Sequence, residues 1–259
     1  MLLEGKTAII YGAAGHVGGA VARVFAREGA QVFLAGRTLE ALAPIADEIG
    51  GSDAHTAQVD ATDGSSVERH FSSVVGQAGG VDISFNLIGL EDVQGQELAG
   101  LPLEDYMRPI ELGARTHFLT ATAAARHMAE RGHGVIMALT ATPTRLALPL
   151  VGGFGAACAA IEGMLRTLAA EAGPKGVRVC WLRSAGSPES FGPDVAVDSN
   201  ARPAGLGDSD YLEVLRQQTL MKRFPRLVEV AEAAVLIASD RASAMTGAAA
   251  NVTCGQIVD

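Results

Sequence analysis

The chain has 259 residues and a formal charge of −9, with no block of Lys or Arg, which argues against nucleic acid or an anionic membrane surface as a partner. Its length suits one large α/β domain spanning residues 1–259, and no apolar run approaches the roughly 18 residues that a membrane span requires. The opening Met1-Leu2-Leu3-Glu4-Gly5-Lys6 lacks the cationic and apolar regions of a signal peptide, so a soluble cytoplasmic protein is expected.

The first predicted element organises the rest. Thr7 to Tyr11 is a short apolar run that breaks into Gly12-Ala13-Ala14-Gly15-His16-Val17-Gly18-Gly19 and then becomes a helical pattern. A strand, a tight turn and a helix N-terminus in that order form a cradle for a pyrophosphate, because glycines let the anion approach closely and the helix's free N–H groups face it. The alternative is an ordinary tight turn in a glycine-rich chain. A second strand follows at Gln31 to Gly36, and Arg37 stands 19 residues after Gly18, where a βαβ unit places the side chain that reads the adenosine ribose. An acid there would accept from a free 2′-hydroxyl, whereas the Arg37 guanidinium, with Thr38 beside it, suits a 2′-phosphate; NADP(H) is therefore favoured over NAD(H). The alternative for Arg37 is a solvated side chain after a strand.

Helix-like and strand-like segments then alternate. Leu39 to Ile49 is helical, His55 to Asp60 is a third strand ending in an acid, Val67 to Val75 is helical, and Val81 to Asn86 is the fourth strand. A long helix covers Leu103 to Arg131 with an expected interruption near Gly113, followed by a strand at Gly134 to Thr140 and an Ala-rich helix at Phe154 to Glu171. A sixth strand at Val177 to Leu182, a helix at Val228 to Ser239 and a short strand at Ala249 to Val252 complete the series. Strands apolar on both faces, each followed by a crossover helix, predict a doubly wound parallel sheet of about seven strands, with ligands beyond the strand C-termini. Ser187 to Arg223 breaks the rhythm, being rich in Gly, Pro, Ser and Asp with a helical patch at Tyr211 to Thr219; its place after a late strand suggests a substrate lid. Cys158, Cys180 and Cys254 are too far apart in sequence to suggest a disulfide framework or a metal site, and read as buried thiols.

Taken together these segments resemble the short-chain dehydrogenase/reductase family over nearly the whole chain. The matching pieces are the glycine loop, Ala35-Gly36-Arg37, Val59-Asp60-Ala61-Thr62-Asp63, Asn86-Leu87-Ile88-Gly89, Gly176-Val177-Arg178-Val179, Ala185 to Ser190 and the closing Asn251-Val252-Thr253-Cys254-Gly255. The resemblance implies a Rossmann-type domain with phosphate contacts at Gly12 and Gly18 and a 2′-phosphate contact at Arg37. It also implies an adenine contact at Asp60, ribose contacts around Asn86 and Gly89, and a carboxamide or phosphate contact at Ser190. Gly12, Gly15 and Gly18 match the Gly-x-x-Gly-x-x-Gly form of the family's extended branch, with His16 where an aromatic residue often stands and Val17 completing the loop. A homodimer or homotetramer is implied through the helices on either side of the fifth strand.

The family's catalytic residues align with other side chains here. Its Tyr-x-x-x-Lys falls on Phe154-Gly155-Ala156-Ala157-Cys158, its Ser on Ala141 and its Asn near Gly113. A phenyl ring has no proton to give to a developing alkoxide, so ordinary ketone reduction is not expected. Candidate replacements are the hydroxyls of Thr140, Thr142 and Ser184, whose alternative reading is strand-end and loop capping; Cys158, Arg145 and Tyr211 stand further back, His117 reads as a helix-surface residue, and His16 as a lining of the phosphate loop. Two functions remain open: an NADP(H)-dependent oxidoreductase of altered mechanism acting on a small molecule with an activated C=C, C=N or C=O, or a catalytically silent NADP(H)-binding or scaffolding protein of the same fold.

Overall fold

The computed structural model of the protein describes residues 1–51, 53–190 and 208–258, without the side chains of 208–211. Seven parallel strands form one sheet in the order β3-β2-β1-β4-β5-β6-β7. They are β1 (Thr7–Tyr11), β2 (Gln31–Gly36), β3 (Ala54–Gln58), β4 (Ile83–Asn86), β5 (Gly134–Ala141), β6 (Val177–Ser184) and β7 (Ala248–Val252). β1 is buried along its whole length, as an inner strand of a doubly covered sheet must be.

Helices cover both faces. α1 (His16–Arg27), α2 (Leu39–Ile49) and α7 (Leu227–Ala238) pack Phe25, Leu42 and Val235 onto Ala8 and Ile10. On the other face α3 (Gly64–Ala78), α4 (Leu103–Arg131) and α5 (Phe154–Ala172) pack Phe71, Met128 and Leu165 onto Ile9 and Tyr11. Successive residues of a strand serve opposite faces, so Ile9 and Ile10 belong to different cores, and each fully buried aliphatic side chain contributes about 1.5–3 kcal/mol. Local signals set the helix ends: Asp63 caps α3 by accepting from Ser65 N at 2.9 Å, and Gly132 closes α4 in the left-handed conformation.

The strand order reverses direction at β1, which pairs with β2 on one side and β4 on the other; Tyr11 lies opposite both Ala35 and Asn86. The loops leaving β1 and β4 therefore diverge and open a crevice beyond the strand ends, where ligands bind in such folds. The doubly wound α/β expectation is met.

Several boundaries differ from those read in the sequence. α4 runs unbroken through Gly113, because this glycine provides room for packing and does not interrupt the helix: a Cβ there would lie 3.0 Å from Leu90 Cδ2 and 3.2 Å from Ile161 Cδ1. β3 stops at Gln58, since the Asp60 carboxylate turns back onto Thr62 and starts the turn into α3. β6 continues to Ser184, which therefore belongs to the strand and not to the loop beyond it, because pairing with β5 and β7 persists to that residue. Of the expected lid, residues 191–207 lie outside the described part; the remainder includes a turn at Pro188–Ser190 and α6 (Asp208–Gln218). Among the described residues no helix is long and apolar enough to cross a membrane.

Candidate active site

The crevice at the reversal point is a cavity of about 460 Å³ lined by Gly12, Gly15, Arg37, Thr38, Asp60 and Gly89, among others. Its floor fits a pyrophosphate. Gly12 holds a φ of +74°, and a Cβ on it would sit 2.6 Å from the Leu87 carbonyl oxygen; a Cβ on Gly18 would collide with the Gly12 carbonyl. Only glycine satisfies both positions. α1 begins at His16, which is exposed, with half-buried Val17 behind it, and its N-cap Gly15 offers no side chain to the first-turn N–H groups. Those donors are oriented for an anion.

The walls are positioned by the strand ends. Asn86 is buried; its amide donates to Thr120 Oγ1 at 3.0 Å while its carbonyl oxygen accepts from Ile88 N at 3.0 Å, which fixes the loop carrying Gly89. Asp60 Oδ1 accepts from the Thr62 hydroxyl at 2.7 Å and from Thr62 N at 2.9 Å, and these bonds hold its carboxyl below the ordinary carboxylate range. Thr38 is the N-cap residue of α2, and Arg37 beside it meets Glu91 from the opposite wall at 3.0 Å. Ser190 does not present its hydroxyl freely: it donates to Ser187 O at 2.7 Å within its own turn.

The positions aligned with the family's catalytic groups carry apolar side chains or a buried thiol, and of the candidate hydroxyls Thr140 is already engaged. Phe154 opens α5 and is half-buried, Ala141 ends β5, and buried Cys158 lies one helical turn after Phe154. Burial pushes the Cys158 thiol up to about 12 against a backbone hydrogen bond at Ala141, so it stays protonated and unreactive near neutral pH. Thr140 is removed from the proton donors because its buried hydroxyl donates to Glu162 Oε1 at 2.9 Å. Thr142 opens the turn after β5 and is buried, and Ser184, also buried, ends β6 opposite Ala141. Arg145 is exposed at the end of the same turn, and the Tyr211 side chain lies outside the described residues.

His117 was expected on the helix surface but is buried. Its Nδ1 lies 2.9 Å from Gly113 O, which can only accept, so Nδ1 carries the proton and Nε2 has no partner. Burial lowers its pKa to about 4 against the hydrogen bond to Gly113 O and keeps the ring neutral.

A buried ion pair was missed at the sequence level. Arg183 on β6 grips Glu162 on α5 through both carboxylate oxygens, at 2.8 and 2.9 Å, with Thr140 as a further donor and Arg166 reaching Glu162 Oε2 at 2.9 Å. Arg166 also lies over the Trp181 ring, 5.4 Å from its centroid. The available signal was an arginine near the end of an otherwise apolar strand and a glutamate in an Ala-rich helix, each of which needs a partner when buried.

Comparison with known proteins agrees with this geometry. The family model described as enoyl-(acyl carrier protein) reductase matches residues 12–256. The chain is 29% identical to D-threitol dehydrogenase of Mycolicibacterium smegmatis over 248 residues, covering 95% of this chain and 90% of that protein. It is 30% identical to the (-)-isopiperitenol/(-)-carveol dehydrogenase of Mentha piperita, covering 95% and 91%. Among solved structures, an NAD+-bound xylitol dehydrogenase superposes with a TM-score of 0.90 at 22% identity over 97% of this chain and 99% of that one. A short-chain type dehydrogenase/reductase from Mycobacterium marinum gives 0.84 at 28% identity, covering 99% and 97%. With a family model spanning most of its length and a glycine cradle at the reversal point of a seven-stranded parallel sheet, the chain belongs to the short-chain dehydrogenase/reductase family of oxidoreductases.

Proposed function

We propose that this protein is an NADP(H)-dependent oxidoreductase that transfers hydride without the phenol and ammonium usual in its family, acting on a small molecule with an activated C=C, C=N or C=O. Family membership brings a nicotinamide dinucleotide and a small-molecule substrate. When bound, the nicotinamide ring supplies or takes up a hydride at C4. The chain's own residues bind the dinucleotide: the Gly12, Gly15 and Gly18 backbone cradles the pyrophosphate, Asp60 and Gly89 border the adenosine, and Arg37 offers its fork of N–H donors to a 2′-phosphate.

The observation that carries the altered chemistry is the make-up of α5, which opens on Phe154 and carries the protonated thiol of Cys158 one turn later. Neither group supplies a proton readily at neutral pH nor a cation to stabilise an alkoxide. The room an asparagine would need at Gly113 is taken by Leu90 and Ile161. Such a site favours substrates in which the charge left by hydride addition is delocalised, as in a conjugated enone, or neutralised, as in an iminium. Thr142 and Ser184 are the hydroxyls proposed to donate to the substrate.

The test is NADPH consumption by the purified protein against enones, iminium ions and unactivated ketones. Turnover confined to the activated acceptors is expected; equal turnover of plain ketones, or none with any acceptor despite tight NADPH binding, overturns the proposal. Arg37→Ala should weaken NADPH at least tenfold more than NADH, and equal weakening removes the phosphate assignment.

A further inference from the structure

We propose that Glu91, on the loop after β4, is the counter-ion that sets the cofactor preference of this site by competing with a 2′-phosphate for Arg37. This rests on the reading of the cavity as the adenosine pocket. Arg37 and Glu91 both line that cavity, from the loops after β2 and β4, and Arg37 Nη1 meets Glu91 Oε1 at 3.0 Å. The ion pair thus spans the opening between two walls of the pocket.

The backbones that carry the two partners are fixed beside the cavity, while the side chains themselves are 77% (Arg37) and 48% (Glu91) exposed. Glu91 has a φ of +54°, a left-handed conformation that only a few per cent of non-glycine residues adopt. Farther along its loop, Gly95 N donates to Leu150 O at 2.8 Å, anchoring it to the β5–α5 connection. On the facing wall the Gln58 amide donates to the Arg37 carbonyl at 2.9 Å. Asp60, the third charged group lining this cavity, adds a second negative charge against the single cation.

The consequence follows from charge and hydrogen-bond chemistry. A ribose diol is compatible with the intact pair, since its hydroxyls donate to the Glu91 carboxylate and accept from the guanidinium. A 2′-phosphate is an acceptor only, carrying nearly two negative charges, so it must displace Glu91 from Arg37 or sit beside it against like-charge repulsion. Arg37 alone would favour the phosphate strongly. With Glu91 opposite it, the preference for NADPH over NADH is held down, and Glu91 is a specificity-determining residue that works through Arg37.

The experiment is a fluorescence titration of NADPH and of NADH with the wild type, Glu91→Gln, Arg37→Ala and the double variant, at low and high salt. Glu91→Gln is expected to raise the ratio of NADH Kd to NADPH Kd about tenfold at low salt, less at high salt, and to leave it unchanged when Arg37 is already alanine. Glu91→Gly, which suits the left-handed backbone and removes the carboxylate, should act in the same direction, with folding of each variant checked by circular dichroism. A ratio unchanged within twofold in both variants, or an equal rise without Arg37, overturns the proposal while leaving the dinucleotide pocket standing. Failure of the wild type to bind either dinucleotide overturns the pocket reading itself and the proposal with it.

Discussion

At the scale of single residues, the glycine turn after β1 leaves no room for a side chain at Gly18. A methyl group at Gly18 would meet the Gly12 carbonyl and lie 2.8 Å from Ala13 Cα, both backbone atoms that cannot swing aside. Gly18→Ala is expected to cost about 1–3 kcal/mol through overpacking and to weaken NADPH binding a hundredfold or more, read by denaturant unfolding and fluorescence titration. Buried histidines give a second prediction. Burial lowers His70 and His117 to about 4, below the ordinary 6.5, so the unfolded chain takes up protons first as the solution is acidified. The stability they contribute is therefore complete above about pH 6.5 and declines toward pH 4, by up to about 1.4 kcal/mol per pH unit for each ring. Neither ring nitrogen of His70 has a partner among the described residues, and its ring stands edge-on to Tyr11 at 5.9 Å. His70→Phe should keep the packing and flatten part of that acid slope; an unchanged slope in urea titrations between pH 7.5 and 4.5 would contradict the assignment.

At the scale of elements, one buried ion pair joins α5 to β6 beside an apolar contact that includes Leu165 and Val179. Burial works against the charge of Glu162, but the hydrogen bonds from Arg183 and Thr140 and the Arg183 charge outweigh it and hold its pKa below the ordinary 4.5. The stability supplied by the pair is thus present above about pH 4.5 and lost as pH falls through the lowered value. Removing Arg183 leaves the buried Glu162 carboxylate with Thr140 and the half-exposed Arg166: Arg183→Met should cost about 2 kcal/mol, and adding Glu162→Leu should return much of it, because an apolar pair replaces two desolvated ions. Denaturant unfolding of the single and double variants checks this. The element ends were legible only in part. The helix read from Val67 begins at Gly64 behind the Asp63 cap, a signal passed over in the sequence, and Gly113 looked like a break because a glycine in a helix reads the same whether it interrupts the turn or admits a neighbour's side chain.

At the scale of the whole molecule, the sheet order brings the loops after β1, β2, β3 and β4 around one cavity, so dinucleotide binding couples to global stability. NADPH at about a hundred times its Kd should add about 2.7 kcal/mol and raise the melting temperature by several degrees, a shift that Gly18→Ala should abolish. We propose that a dimer or tetramer, implied by the family resemblance, would pair through the outer groove between α4 and α5, bordered by Ala125, Ala129, Leu168 and Ala172, near Phe118 of α4, which is 55% exposed. Phe118→Asp is expected to shift the protein to a smaller species in sedimentation; an unchanged wild-type-like oligomer would place the interface elsewhere.

The alternation of apolar strands and crossover helices, together with the glycine spacing, determined the sheet and the tight glycine turn after β1 from sequence alone. Those features arise from local periodicity and from backbone space that no other residue permits. What only the tertiary structure decided was which polar groups meet. Thr140 stood as a candidate donor to substrate until Glu162, 22 residues away, proved to accept its hydrogen bond. His117 looked exposed until the cores closed around it, and Glu91 carried no signal until the loop after β4 set it opposite Arg37. Such pairings depend on how distant segments pack, and a side chain's chemistry is fixed by the partner and the solvent that packing leaves it.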